Sequence, residues 1–221
     1  MSIDKHIAQL KNAGASGLEQ YERKLRDNAG NDEILADLFC EGRVALMFLH
    51  SGWQVTLRDS PDLQMTLGGQ VAYAEVKRFR QKKQDKLNER AMLEAPDHIL
   101  VLLVDPSVTE GSQAWKQLAN VATKKAPQCK EGCANILVVE SDSECLDLML
   151  CSAVREYDRN APVSPNDSPL RRLSGIMLVD RDRISFGRSP YNVGFCTTQH
   201  AAIPLNERLA TALSSIHLEL H

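Results

Sequence analysis

The stretch DLQMTLGGQVAYAEVK, residues 62–77, constrains this chain more than any other part of it. Two runs of alternating apolar and polar residues flank Gly68-Gly69, and a glycine pair supplies the positive φ angles that a two-residue type I′ or II′ hairpin turn needs. Such a turn fixes the register. Leu67 faces Gln70, and counting outward sets Asp62 opposite Glu75. Because side chains alternate along a strand, Leu63, Met65 and Leu67 meet Ala72, Ala74 and Val76 on an apolar face. Asp62, Gln64 and Thr66 share the other face with Val71, Tyr73, Glu75 and Lys77.

The flanking segments predict alternating helices and strands. Asn31-Asp32 is an N-cap pair for a long helix that runs to about His50 and stops at Ser51-Gly52, and Trp53 to Leu57 reads as a strand. After the hairpin, RFRQKKQDKLNERAMLEA leads into a helix ending before Pro96, and DHILVLLVDP follows as an apolar strand. Strand, helix, strand suggests a right-handed crossover to a parallel neighbour of the second hairpin strand. A helix from about Ser112 to Lys124 and a buried strand from Ala134 to Glu140 come next. An amphipathic helix capped near Ser143 then carries Leu146, Met149, Leu150, Ala153, Val154 and Tyr157 on one face. These elements predict an α/β layered domain with a central mixed β-sheet flanked by helices. With 221 residues, 43% of them hydrophobic, the chain is long enough for one such core. Residues 1–30 read as a helical N-terminal extension, 31–157 as the core, and 158–221 as a continuation of the same domain. Within that last part, 158–172 reads as an exposed proline-containing loop, and Gly175 to Val179 pairs with Ile184 to Gly187 around Arg181-Asp182. A helix from about Leu205 to Leu218 closes the chain.

The chemistry gathers at the open end of the hairpin. Two carboxylates placed directly opposite one another repel unless something positive lies between them. A hard divalent cation meets that need: Mg²⁺ takes oxygen ligands and is held by one or two carboxylates plus substrate phosphates, with Mn²⁺ able to substitute. Lys77, two residues beyond Glu75 on the same face, is placed to orient or deprotonate a water or to stabilise developing negative charge. Glu41 supplies a further acid. It falls within the apolar stripe Ile34, Leu38, Ala45, Phe48 of the long helix, where a bare carboxylate is costly without a partner. Asp37, at the edge of that face, is the second choice. The basic run Lys77, Arg78, Arg80, Lys82, Lys83, Lys86 begins where the acids end and is suited to backbone phosphates. Arg159, Arg171 and Arg172 are weaker candidates for the same role.

An acidic helix ending near a glycine, a strand, Pro61-Asp62, a hairpin and then Glu75-Val76-Lys77, followed by helix and apolar strand, resembles the PD-(D/E)XK nuclease superfamily. The resemblance covers about residues 31–105. It implies a restriction-endonuclease-like core and Mg²⁺-dependent hydrolysis of phosphodiester bonds, usually of DNA. It further implies that Asp62, Glu75 and the backbone carbonyl of Val76 bind the metal, that Lys77 assists the attacking water, and that Glu41 contributes. A homodimer is a reasonable expectation for an enzyme that cuts two strands. A second reading fits the same residues: a non-catalytic nucleic-acid-binding or scaffolding module with a nuclease-like core.

Composition narrows the remaining classes. A net charge of -3 and a pI near 6.1 mean that contact with a polyanion must come from local patches. The N-terminus lacks an apolar signal core and the apolar runs are strand-length, so the chain is expected to be soluble, cytoplasmic and without membrane contact. The six cysteines include Cys129 and Cys133 in CKEGC, but the two-residue gaps of zinc ribbons are missing, and reduced thiols are expected rather than a zinc or iron site. The histidines show no ligand spacing.

Overall fold

In the computed structural model the described residues are 2–79, 114–141, 146–161, 168–180 and 194–216. They form six helices and one mixed sheet of six strands in the order β1-β2-β3-β4-β5-β6. The helices are α1 (Ile3–Asn12), α2 (Leu18–Asp27), α3 (Asp32–His50), α4 (Ala114–Lys125), α5 (Leu146–Asn160) and α6 (Glu207–Ser214). The strands are β1 (Gln54–Leu57), β2 (Leu63–Leu67), β3 (Gln70–Arg78), β4 (Asn135–Ser141), β5 (Gly175–Asp180) and β6 (Gly194–Thr197).

The hairpin forms in the expected register. Leu67 pairs with Gln70 and Leu63 with Ala74. Gly68 and Gly69 turn the chain with φ of 56° and 81°, both in the region that a type I′ turn demands. Leu63, Met65, Ala72, Ala74 and Val76 lie in one core cluster with Leu38, Val44, Ala45 and Phe48 of α3, while Leu67 packs against its edge. Helix α3 starts where its cap predicts, with the Asn31 side chain accepting from the Ile34 amide, and it stops at Ser51. Its buried stripe begins at Leu38, because Ile34 in the first turn is exposed.

The sheet is covered on both faces. Beside α3, helices α1, α2 and α6 contribute Leu10, Tyr21, Leu25, Leu209 and Leu213 to the first cluster. Helices α4 and α5 close the opposite face with Leu118, Ala122, Leu150, Ala153, Val154 and Tyr157. Strands β4 and β5 alternate between the two clusters: Ile136, Val138, Met177 and Val179 face α3, and Leu137, Val139, Ile176 and Leu178 face α4 and α5. Burial on both faces explains why these strands read as continuous apolar runs. The segment 1–30 is no loose appendage; α1 and α2 pack into this core, and Ser16 forms a parallel bridge to Thr56 of β1.

Several expectations are corrected. The parallel neighbour of β3 is β4, with Glu75 opposite Leu137 and Lys77 opposite Val139, rather than the apolar segment near residues 99–104. That segment, the helix before Pro96, Ser112, Ser143 and Cys145 lie outside the described residues. Periodicity identifies a strand but not which neighbour it pairs with. The antiparallel partner of β5 is Gly194–Thr197 rather than 184–187, which also lies outside the described residues. Residues expected as loop from 158 instead continue α5 to Asn160, and a 3₁₀ turn forms at Pro169–Arg172. Among the described residues, no helix is long and apolar enough to cross a membrane.

Polar links cross the core beside α3. The imidazole of His6 bonds the Tyr21 hydroxyl at 3.0 Å, and that hydroxyl donates to the Leu38 carbonyl at 2.6 Å. Burial holds the His6 pKa down at about 4, so the ring is neutral in the folded protein. Arg43 grips the fully buried Glu140 of β4 with two bonds of 2.8 and 2.6 Å, tying α3 to the centre of the sheet. Between these pairs sits Gly42, where a Cβ would collide with the His6 ring and the Tyr21 hydroxyl. Gly42→Ala is therefore expected to cost about 3 kcal/mol in a urea unfolding titration, since both neighbours are tethered and cannot yield. A loss below about 1 kcal/mol would show that the network relaxes.

Candidate active site

Asp62, Glu75 and Glu41 reach the same region from three elements. Asp62 stands one residue before β2, opposite Glu75 by continuation of the Leu63–Ala74 pairing. The ladder between β2 and β3 ends at that pair, so the Val76 amide lacks a backbone partner there. The Asp62 carboxylate takes it, accepting at 2.7 Å. Glu75 sits in the middle of β3 and is 2% exposed, because α4 covers the face that the hairpin alone leaves open. Glu41 comes from the buried side of α3. Its Oε2 is buried and has no hydrogen-bond partner among the described residues.

Electrostatics couple the three acids. Burial, followed by the charge of Asp62, pushes the Glu41 pKa up to about 8. Burial and then Asp62 also raise Glu75, while Lys125 opposes the shift. Burial raises Asp62 against the stabilising bond from the Val76 amide and the fields of Lys125, Lys24 and Lys77. The three carboxylates thus compete for ionisation in a partly desolvated space that wants positive charge.

Lys77 is 40% exposed and its ammonium lies 3.6 Å from Asp37 of α3. Arg78, expected in an exposed basic run, is turned onto the same Asp37 at 3.0 Å with 11% of its side chain exposed. Asp37 therefore anchors the end of β3 to α3. The cation on Glu75 is Lys125, the last residue of α4, 3.0 Å from Oε2. Lys24 of α2 completes the basic surround, held by Asp59 at 2.7 Å and the Arg58 carbonyl at 3.3 Å. Neither residue has a local sequence signal, since each lies in an ordinary amphipathic helix and reaches the acids only through packing. Arg80, Lys82, Lys83 and Lys86 fall outside the described residues. Arg159 pairs with Glu156, Arg171 bonds the His200 carbonyl, and Arg172 pairs with Glu131.

Glu41, Asp62 and Glu75 offer hard oxygen donors, and the unpartnered buried Glu41 Oε2 is a donor that the protein itself leaves unused. No group of three or more His, Cys, Asp or Glu among the described residues is disposed to hold an ion by itself. An ion at this site would therefore need part of its coordination from outside the protein, from water or a bound phosphate. The described cysteines are free thiols, and burial pushes the Cys129 thiol up to about 12, which makes it a poor nucleophile and metal ligand at neutral pH.

Comparison with known proteins returns no match: no protein-family model, no curated protein and no solved structure matches this chain.

Proposed function

We propose that this protein is a Mg²⁺-dependent nuclease with a restriction-endonuclease-like core, hydrolysing phosphodiester bonds and acting most readily on DNA. The single observation that carries the reading is the convergence of Asp62, Glu75 and Glu41 in a buried space, with one carboxylate oxygen left unsatisfied. A structural acid cluster has no reason to keep that cost. Asp62, Glu75, Glu41 and the Val76 carbonyl would hold the ion; Mn²⁺ could replace it. When bound, the ion supplies charge neutralisation at the phosphate and acidifies a water.

The chain's own groups do the rest. Asp62 is oriented by the Val76 amide, so one of its oxygens is fixed in direction before any ligand arrives. Lys77, on the rim, has room to turn from Asp37 towards a substrate phosphate, where its ammonium would stabilise negative charge developing in the transition state. Lys24 and Lys125 offset part of the cost of holding the three acids ionised together. The basic run Arg80, Lys82, Lys83 and Lys86, which lies outside the described residues, carries the charge suited to backbone phosphates.

The test is nicking of supercoiled plasmid DNA in millimolar Mg²⁺ or Mn²⁺ against the same reaction in chelator, by wild type and Lys77→Ala. Wild type should cut only with the ion present, and Lys77→Ala should be slower by about 10²-fold. Equal rates in chelator, or an unimpaired Lys77→Ala, would remove the assignment. Metal-independent DNA binding without cleavage would favour the scaffolding alternative.

A further inference from the structure

Lys125 does more at this site than an ordinary surface ion pair. Its ammonium lies 3.0 Å from Glu75 Oε2 and 2.6 Å from Gln128 Oε1, so one cation is shared between a buried carboxylate and a neutral amide three residues on. The base of the side chain is fixed. Helix α4 ends at Lys125, the next residue, Ala126, is fully buried, and a 3₁₀ turn at Ala126–Gln128 carries Pro127. Cys129 Sγ contacts the Lys125 carbonyl at 3.9 Å, and Arg172 reaches the Pro127 carbonyl at 3.5 Å. The ammonium can be reached from solvent, since 24% of the side chain is exposed, while that of Glu75 is only 3% exposed.

We infer that Lys125 is a tethered counter-cation of the carboxylate site, which a divalent ion must displace from Glu75 and which then rests on Gln128. This rests on the nuclease reading and assigns a positioning residue to it. The physical reason is that Glu75 is too buried to remain ionised alone, and a lysine ammonium is a compact point charge able to stand in for a metal. The two cations would compete for one carboxylate, because like charges brought to the same oxygen repel strongly in a partly desolvated space. Gln128 gives the displaced ammonium a ready partner, so the exchange leaves no unpaired donor behind. The consequence is a site whose affinity for metal is held down until the lysine moves, with the acids kept apart from solvent in the meantime.

Isothermal titration of metal-free protein with Mn²⁺ tests this directly, on wild type, Lys125→Met, Lys125→Gln and Lys125→Arg, each checked for folding by circular dichroism. Both neutral variants should bind Mn²⁺ about 10-fold more tightly than wild type or more, and Lys125→Arg should not. Two neutral variants guard against misfolding of one, since Gln can still hydrogen-bond where Met cannot. Unchanged or weaker binding in the folded neutral variants, with clear binding in wild type, would overturn the counter-cation role and leave the nuclease reading standing. No binding by any of the four proteins would overturn both.

Discussion

Asp62→Asn is expected to lose divalent-dependent DNA cleavage by roughly 10³-fold while melting no lower than wild type in chelator. The two halves of this result come from different atoms. Asn retains a carbonyl oxygen able to accept from the Val76 amide, so the end of the β2–β3 ladder stays satisfied. What disappears is a charge that the fold itself penalises, since burial raises the Asp62 pKa and Asp62 in turn raises Glu41 and Glu75. Asp62→Ala would be a poorer experiment, because it strands the Val76 N–H. Initial rates on plasmid DNA and melting curves in chelator measure both halves. Cleavage within about threefold of wild type would remove Asp62 from the reaction, and a large drop in melting temperature would make it a structural cap.

The second large effect concerns pH. Glu41 has a folded pKa of about 8 against an ordinary value of 4.5, so in the metal-free protein the folded state holds a proton that the unfolded state has released. Stability must then fall as pH rises from the unfolded pKa and level off above the folded one. His6 has the opposite sign below pH 6.5: its folded pKa near 4 lies under the unfolded value, so protonation of the unfolded chain removes stability as pH falls. The two opposing trends overlap between about pH 4.5 and 6.5, and the window from about 6.5 to 8 isolates the carboxylates. Across that window the metal-free protein is expected to lose about 2 kcal/mol through the release of the Glu41 proton. Glu41→Gln should flatten most of the slope in denaturant titrations at several pH values. A slope that survives in Glu41→Gln would place the proton elsewhere.

Much of this arrangement was legible in the sequence because local chemistry dictates it. Gly68-Gly69 sets a turn type, the turn sets a register, and the register puts Asp62 opposite Glu75. The Asn31 cap and the stripe from Leu38 to Phe48 likewise set the phase of α3, and with it the inward direction of Glu41. What could not be read depends on contacts between segments far apart in the chain. Lys125 meets Glu75 across 50 residues, and Arg43 meets Glu140 across 97. No spacing rule covers such pairs, as they follow from the order of strands in the sheet. The same limit explains why β4, and not the apolar run near residue 100, had to be found as the neighbour of β3. Strand length and hydrophobicity are shared by both segments, so the sequence pattern does not choose between them. Lys77 and Arg78 show a finer version of the problem: Lys77 lies on β3 as its alternation predicts, Arg78 ends that strand instead of opening the next segment, and Asp37 captures both.

The proposed joint hold of Asp62, Glu75 and Glu41 on a divalent ion is read out by thermal melting at pH 8. Metal-free wild type titrated with Mg²⁺ should rise by several degrees at millimolar concentration, since an ion that binds only the folded state stabilises it by mass action. Asp62→Asn and Glu75→Gln should rise little or not at all. An equal rise in the variants, or none in wild type, would contradict the account.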